Sequence, residues 1–301
     1  MFSHRRMLLF AAGIAVAFSV AGCGGKELKP GMAAQSLPTD ITSFNSSGIP
    51  LSNIPDFSGV PYVTINNGKP FFSRKDIAKV KEKPDMNLFR ISPLDSRERP
   101  GAATVLLSAS KFPQADYGVV GDYNPTGWHL VKYSNIEGNN SLYVKTLLIS
   151  SSLITPPENS DKMLITATHY MSTTGMVPFV DTVRKYLKKN PKAHVLYRVT
   201  PLFNTTDLLA KGVLMEAYSV EDDGAGLDFC VFVYNAQPDI NIDYSTGDSK
   251  PANDDIRTLS NIPTYEPQYD KKGNLVKDVP TDPLIIEQDK AFKQHQGQKK
   301  N

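Results

Sequence analysis

Residues 213–234 read VLMEAYSVEDDGAGLDFCVFVY. Before the turn, Val213, Met215 and Ala217 alternate with Leu214, Glu216 and Tyr218; after it, Phe229, Val231 and Val233 alternate with Cys230, Phe232 and Tyr234. A period of two sends successive side chains to opposite faces of a strand. The Asp223-Gly224 pair supplies the left-handed backbone that a tight reversal needs. The stretch therefore predicts an antiparallel hairpin.

Working outward, HVLYRVTPLF (194–203) has the same alternation and predicts a third strand. Ahead of it, Met176, Phe179, Val180, Val183, Tyr186 and Leu187 recur at three and four residues, which marks one apolar stripe of a helix over 173–190. Thr173 or Thr174 is the expected cap. Arg184, Lys185, Lys188 and Lys189 suit its negative C-terminal end, and Asn190-Pro191 stops it. Further strands are expected at 61–65, 101–108 and 128–133, and residues 76–83 suit a turn or two of helix. Residues 142–149 are compatible with strand or loop, and the two prolines of TPPENSDK (155–162) mark a loop. The expected fold is α+β, an antiparallel sheet with one long helix across it.

With 301 residues, 40% of them hydrophobic and 21% charged, the chain is long enough for a folded body with a sizeable core. Its start differs. Arg5 and Arg6 precede a 14-residue apolar run at 7–20, short of the roughly 20 residues of a membrane span. A basic head and apolar middle describe a secretory signal, and its end, VAGC (20–23), resembles the bacterial lipoprotein signal. That resemblance implies cleavage before Cys23, lipid attached to it, and a membrane-anchored protein facing outside the cytoplasm. The expected organisation is a signal at 1–22, a flexible tether at 23–50, the folded domain at 51–249 and a charged tail at 250–301. Cys230, the second of two cysteines, then lacks a disulfide partner within the chain and reads as a buried thiol. Without the signal's two arginines, 31 basic residues face 31 acidic ones, so the mature chain lacks the basic excess of a general nucleic-acid binder.

The segments PYVTINNGKPFF (61–72), SPLD (92–95) with RPGAA (99–103), PTGWHLVKY (125–133), LITATHYM (164–171), GMVPFVDTVRKYL (175–187), YRVTPLF (197–203), GVLMEAYSV (212–220) and FCVFVYNAQPDINIDYSTGDS (229–249) follow one another in an order. In that order they resemble the bacterial DNA/RNA non-specific endonuclease family, DNA-entry nuclease type, over about residues 54–249. The resemblance implies a ββα-metal fold. One strand there ends in a histidine that acts as general base on the attacking water. The long helix carries an asparagine and a glutamate that hold Mg²⁺, which stabilises charge on the phosphoryl oxygens.

Set against that pattern, Val144, Lys145, Thr146 and Leu147 occupy the catalytic motif, and Leu147 stands at the base position. Lys145 keeps a positive charge but lacks the planar fork of the family's arginine. Ser172 stands for the metal-binding asparagine, Val180 for the glutamate, and Ser150 for a common glycine. Leucine accepts no proton and valine offers no oxygen, so neither a catalytic residue nor a metal site is expected. His129, His169 and His194 are the histidines available as substitutes, and Glu158 and Asp161 the loop carboxylates. The favoured expectation is a surface-tethered, catalytically degenerate nuclease-like protein retained for binding DNA, RNA or another surface or secreted protein. The alternatives are an active Mg²⁺-dependent nuclease with a shifted histidine base, and a protein-interaction module with no nucleic-acid role.

Overall fold

The computed structural model describes residues 50–113 and 123–259, and the backbone of two further strands, Tyr265–Tyr269 and Leu275–Pro280. All of these belong to the unit Ala34–Asn301. Cys23 and the segments expected as signal, tether and far C-terminal end (281–301) lie outside the described residues.

In chain order the strands are β1 (Tyr62–Thr64), β2 (Phe89–Ile91), β3 (Ala103–Ser108), β4 (Lys132–Tyr133), β5 (Tyr143–Leu147), β6 (Leu164–Thr168), β7 (His194–Leu202), β8 (Gly212–Ser219), β9 (Asp228–Tyr234), β10 (Ile240–Ile242), β11 (Ser249–Pro251), β12 (Thr258–Leu259), β13 (Tyr265–Tyr269) and β14 (Leu275–Pro280). The α-helices are α1 (Arg74–Glu82) and α2 (Val177–Lys189).

The hairpin read from 213–234 is β8–β9, with Val213 opposite Val233 and Tyr218 opposite Asp228. It sits inside an antiparallel sheet of order β1-β9-β8-β7-β3-β2. This sheet has apolar side chains on both faces, and each face is covered. On the inner face, Val105, Tyr197, Val199, Met215, Ala217, Val231 and Val233 join Phe179, Val180, Val183 and Leu187 of α2 in one buried cluster. On the outer face, Val80 of α1 packs with Leu106 and Leu196. The fold is thus α+β, as the sequence pattern predicts.

Local features differ from the sequence expectation: β2, β6 and β10 form where it predicts no strand. The segment 128–133 is strand only at Lys132–Tyr133, because Gly127 turns the chain at φ +66° and a side chain there would run into Leu209. The long helix has no side-chain cap: a π-helical turn, Met171–Met176, leads into it, and the Thr173 hydroxyl donates back to the His169 carbonyl at 2.8 Å. Finally, pairing runs past residue 249 into the segment expected as a tail. There β11 pairs with β10, β12 pairs with β4, and β13 pairs with β14. The Ser134 amide donates to the Arg257 carbonyl, and the Ser134 hydroxyl accepts from the Arg257 amide, which ties this stretch down.

Candidate functional site

Strands β5 and β6, the π-helical turn and α2 follow one another as a ββα unit. The hairpin register runs from Tyr143 opposite Thr168 to Leu147 opposite Leu164. What fastens this unit to the main sheet is the segment after β9. Asn235, fully buried, accepts from the Thr168 amide at 2.8 Å and donates to the carbonyls of Thr166 and Ala210, each at 3.0 Å. The Thr168 hydroxyl donates to the Ala236 carbonyl, and Gln237 accepts from the Tyr170 amide. Gly175 completes the join: a Cβ there would lie 2.4 Å from Val233 Cγ1, so only glycine lets the π-helical turn lie against β9. The sequence reading missed Asn235, Gln237 and Gly175. Polar residues directly after the apolar run of β9 were the available signal.

The residues at the motif positions divide by chemistry. Leu147 and Val180 are 8% and 6% exposed and belong to the same hydrophobic cluster. Val144 is half-buried against that cluster. Thr146 lies on the other face of β5 from Leu147, and its hydroxyl donates to the Ser172 hydroxyl at 3.4 Å. The Lys145 ammonium lies 5.3 Å from the centre of the Trp128 ring, a cation–π contact. The Ser150 hydroxyl is paired with that of Ser152 at 2.9 Å.

The histidines have separate surroundings. His129 Nε2 is 3.1 Å from the Thr246 carbonyl and 3.9 Å from Asp248, with 45% of its side chain exposed. His169 is half-buried where β6 ends, and its amide donates to the Leu142 carbonyl. His194 begins β7 and its Nδ1 is 2.6 Å from Glu221. Glu158 and Asp161 are exposed in the loop between β5 and β6. Around the base of the hairpin, burial raises the phenol pKa values of Tyr143 and Tyr244, and both hydroxyls donate to carbonyls, of Gly247 and Asn235 respectively. Burial likewise raises the pKa of the Cys230 thiol, which holds it protonated and unreactive.

Mg²⁺ requires hard oxygen donors in a near-octahedral shell. Leu147 and Val180 offer none, which leaves the Ser172 hydroxyl, a single neutral oxygen that accepts from Thr146 at 3.4 Å, as the one donor of the three positions. Among the described residues no three His, Cys, Asp or Glu side chains gather as a metal-binding group. The side chains at these positions do not fit a divalent cation.

The architecture, an antiparallel sheet carrying a hairpin and a long helix on one face, is a fold that solved bacterial nuclease structures share. NucA from Streptococcus agalactiae without metal is 23% identical at a TM-score of 0.53, covering 67% of this chain and 92% of that one. The same protein with magnesium bound is 23% identical at a TM-score of 0.53, covering 64% and 91%. No family model and no curated protein matches the sequence.

Proposed function

We propose that this chain is a surface-tethered protein in which a nuclease-like domain is catalytically silent and retained for binding. The observation that carries the proposal is the burial of Leu147 and Val180 in one hydrophobic cluster. In the resemblance drawn above, these positions hold the general base and a metal ligand. A base must reach the attacking water within about 3 Å, and a ligand must present an oxygen to the ion. Leucine and valine do neither, and both serve here to fill the hydrophobic cluster that the ββα unit shares with the main sheet. Ser172 at the third position supports the same reading, since a single neutral hydroxyl is shorter than asparagine and lacks its amide carbonyl. The tether rests on the VAGC end of the N-terminal apolar run, with Cys23 as the lipidated residue.

The test incubates the full chain with double-stranded DNA and with RNA in the presence of Mg²⁺ or Mn²⁺. Its control is the triple variant His129→Ala, His169→Ala, Ser172→Ala. The expected result is no cleavage above that control. Metal-dependent cleavage abolished by changing one histidine would overturn the reading in favour of an active enzyme with a shifted base. For the tether, Cys23→Ser should move the chain from the membrane fraction to the soluble one; retention in the membrane would remove the lipid anchor from the proposal.

A further inference from the structure

The outer face of the main sheet, away from the ββα unit, carries a charged rung across β2, β3, β7 and β8. The strand registers align Arg90 of β2 with Thr104 of β3, Thr104 with Arg198 of β7, and Arg198 with Glu216 of β8. The neighbouring rung on that face pairs Leu106 with Leu196, and the one on the other side pairs Leu214 with Phe232. Glu216 is fully buried and fully satisfied. It accepts from Arg198 Nε at 2.6 Å and Nη2 at 2.8 Å, and from the Phe71 amide at 2.7 Å. A buried ion pair of this kind neutralises itself and requires nothing further.

The other end of the rung is not satisfied in that way. Beside it lies a cavity of about 40 Å³ whose walls include Arg90, Thr104, Arg198, Lys79 and Asp76, with Phe72 and Val80 from the α1 side. Arg198 turns two of its three nitrogens to Glu216 and stacks on Phe72 at 4.8 Å, which leaves Nη1 outside that pair. Arg90 and Lys79 are exposed, and neither side chain has an ion-pair or hydrogen-bond partner among the described residues. Asp76 accepts from the Ser73 hydroxyl through Oδ2 at 2.6 Å. With Arg198 balanced by Glu216, the walls hold two uncompensated cations against one carboxylate.

We propose that this cavity binds a compact oxyanion of the inorganic phosphate class. Its volume holds about three water molecules, a scale that suits a small ion and is too small for a nucleoside. Arg90 and Arg198 stand two strands apart, with Cα atoms about 10 Å from each other. A small anion between them meets donors from both sides, and Lys79 adds a third cation from α1. Arginine forks suit phosphoryl oxygens. Asp76 sets the choice among anions: a carboxylate on the wall accepts a hydrogen bond from the P–OH of a hydrogen phosphate and repels an ion with no O–H to offer, such as sulfate. The site lies on the opposite face of the sheet from Leu147 and Ser172, so it stands or falls apart from the reading of the ββα unit.

The experiment is calorimetric titration of the full chain with inorganic phosphate, sulfate and phenyl phosphate, each against sodium chloride of matched ionic strength. The variants are R90Q and K79Q, both at exposed positions and so expected to fold. Phosphate should bind more tightly than sulfate, and R90Q should weaken it at least about tenfold, the loss of one charge-assisted contact. Binding of phenyl phosphate as well would identify the ligand as a terminal phosphoryl group; binding of phosphate alone would identify the free ion. Absence of binding, equal binding of sulfate, or an affinity unchanged in both variants would overturn the proposal.

Discussion

The Thr146 hydroxyl donates to the Ser172 hydroxyl at 3.4 Å, joining β5 to the π-helical turn across the ββα unit. The contact shows that the two halves of the unit still face one another, while their neighbours Leu147 and Val180 point into the core. A residue that fills a core and one that lines an open cleft respond differently to truncation. Leu147→Ala should cost about 2–5 kcal/mol, the range for a buried leucine that leaves a cavity. Urea denaturation of the variant beside the native chain measures it. A cost below about 1 kcal/mol would place Leu147 in an open cleft and remove the main support for catalytic silence.

Asn235 makes the second prediction. Its side chain uses its amide oxygen and both amide hydrogens, all on backbone groups of β6 and of the segment before β8. Asn235→Ala leaves the Thr168 amide and two carbonyls unpaired in the interior, with an expected loss of about 2–4 kcal/mol. A purely global effect would speed hydrogen exchange everywhere by the same factor. The fastening role predicts a further, local acceleration at the Thr168 amide, and exchange there no faster than in β8 would count against it.

Strands β3, β7, β8 and β9 of the main sheet and α2 were legible because period and stripe repeat over many residues, and each repeat is enforced by burial on a known face, whereas the three-residue edge strand β2 carries no such pattern. Val213 to Tyr234 alternates throughout, and the stripe from Met176 to Leu187 is the buried side of α2. The π-helical turn was not legible: MSTTGM has the composition of a capped helix start, and its conformation depends on Gly175 meeting Val233, a contact far away in sequence. Likewise β11 and β12 are strands of three and two residues whose pairing with β10 and β4 no local pattern announces. At the candidate site the identity of each residue was readable, but burial was not. That Leu147 and Val180 share a cluster, and that Thr146 reaches Ser172, are tertiary facts.

Tyr197 is fully buried on the inner face of β7, and its hydroxyl has no partner among the described residues. Burial raises its pKa, so it stays a neutral phenol. An unsatisfied buried hydroxyl costs about 1–3 kcal/mol in lost hydration. Tyr197→Phe keeps the ring and removes the cost, so the variant should be more stable, by about 1 kcal/mol. A rise in thermal midpoint is the expected readout. A fall would reveal that the hydroxyl is hydrogen-bonded after all, to a buried water for instance.

The last prediction concerns acid. Asp95 accepts from the amides of Arg97 at 2.8 Å and Arg99 at 3.0 Å and from Arg99 Nε at 2.8 Å, while Arg99 Nη1 reaches the carbonyls of Asn204 and Asp207, each at 2.8 Å. One carboxylate thus holds the guanidinium that staples the loop before β3 to the loop before β8. Burial alone raises the Asp95 pKa, but the donors from Arg99 and Arg97 outweigh it, and the carboxyl lies below its ordinary value of 3.8. A group with a depressed folded pKa binds fewer protons folded than unfolded, so its contribution is complete above the ordinary value and is lost as pH falls through the folded one. Asp95→Asn should therefore be less stable than the native chain near neutral pH. The expected gap is about 1 kcal/mol, kept small because the carboxylate is 41% exposed and screened by solvent. Urea midpoints compared near neutral pH and again below the ordinary carboxylate pKa should show the gap closing. A gap of the same size at both would mean that Asp95 acts through the shape of its loop, with its charge contributing nothing.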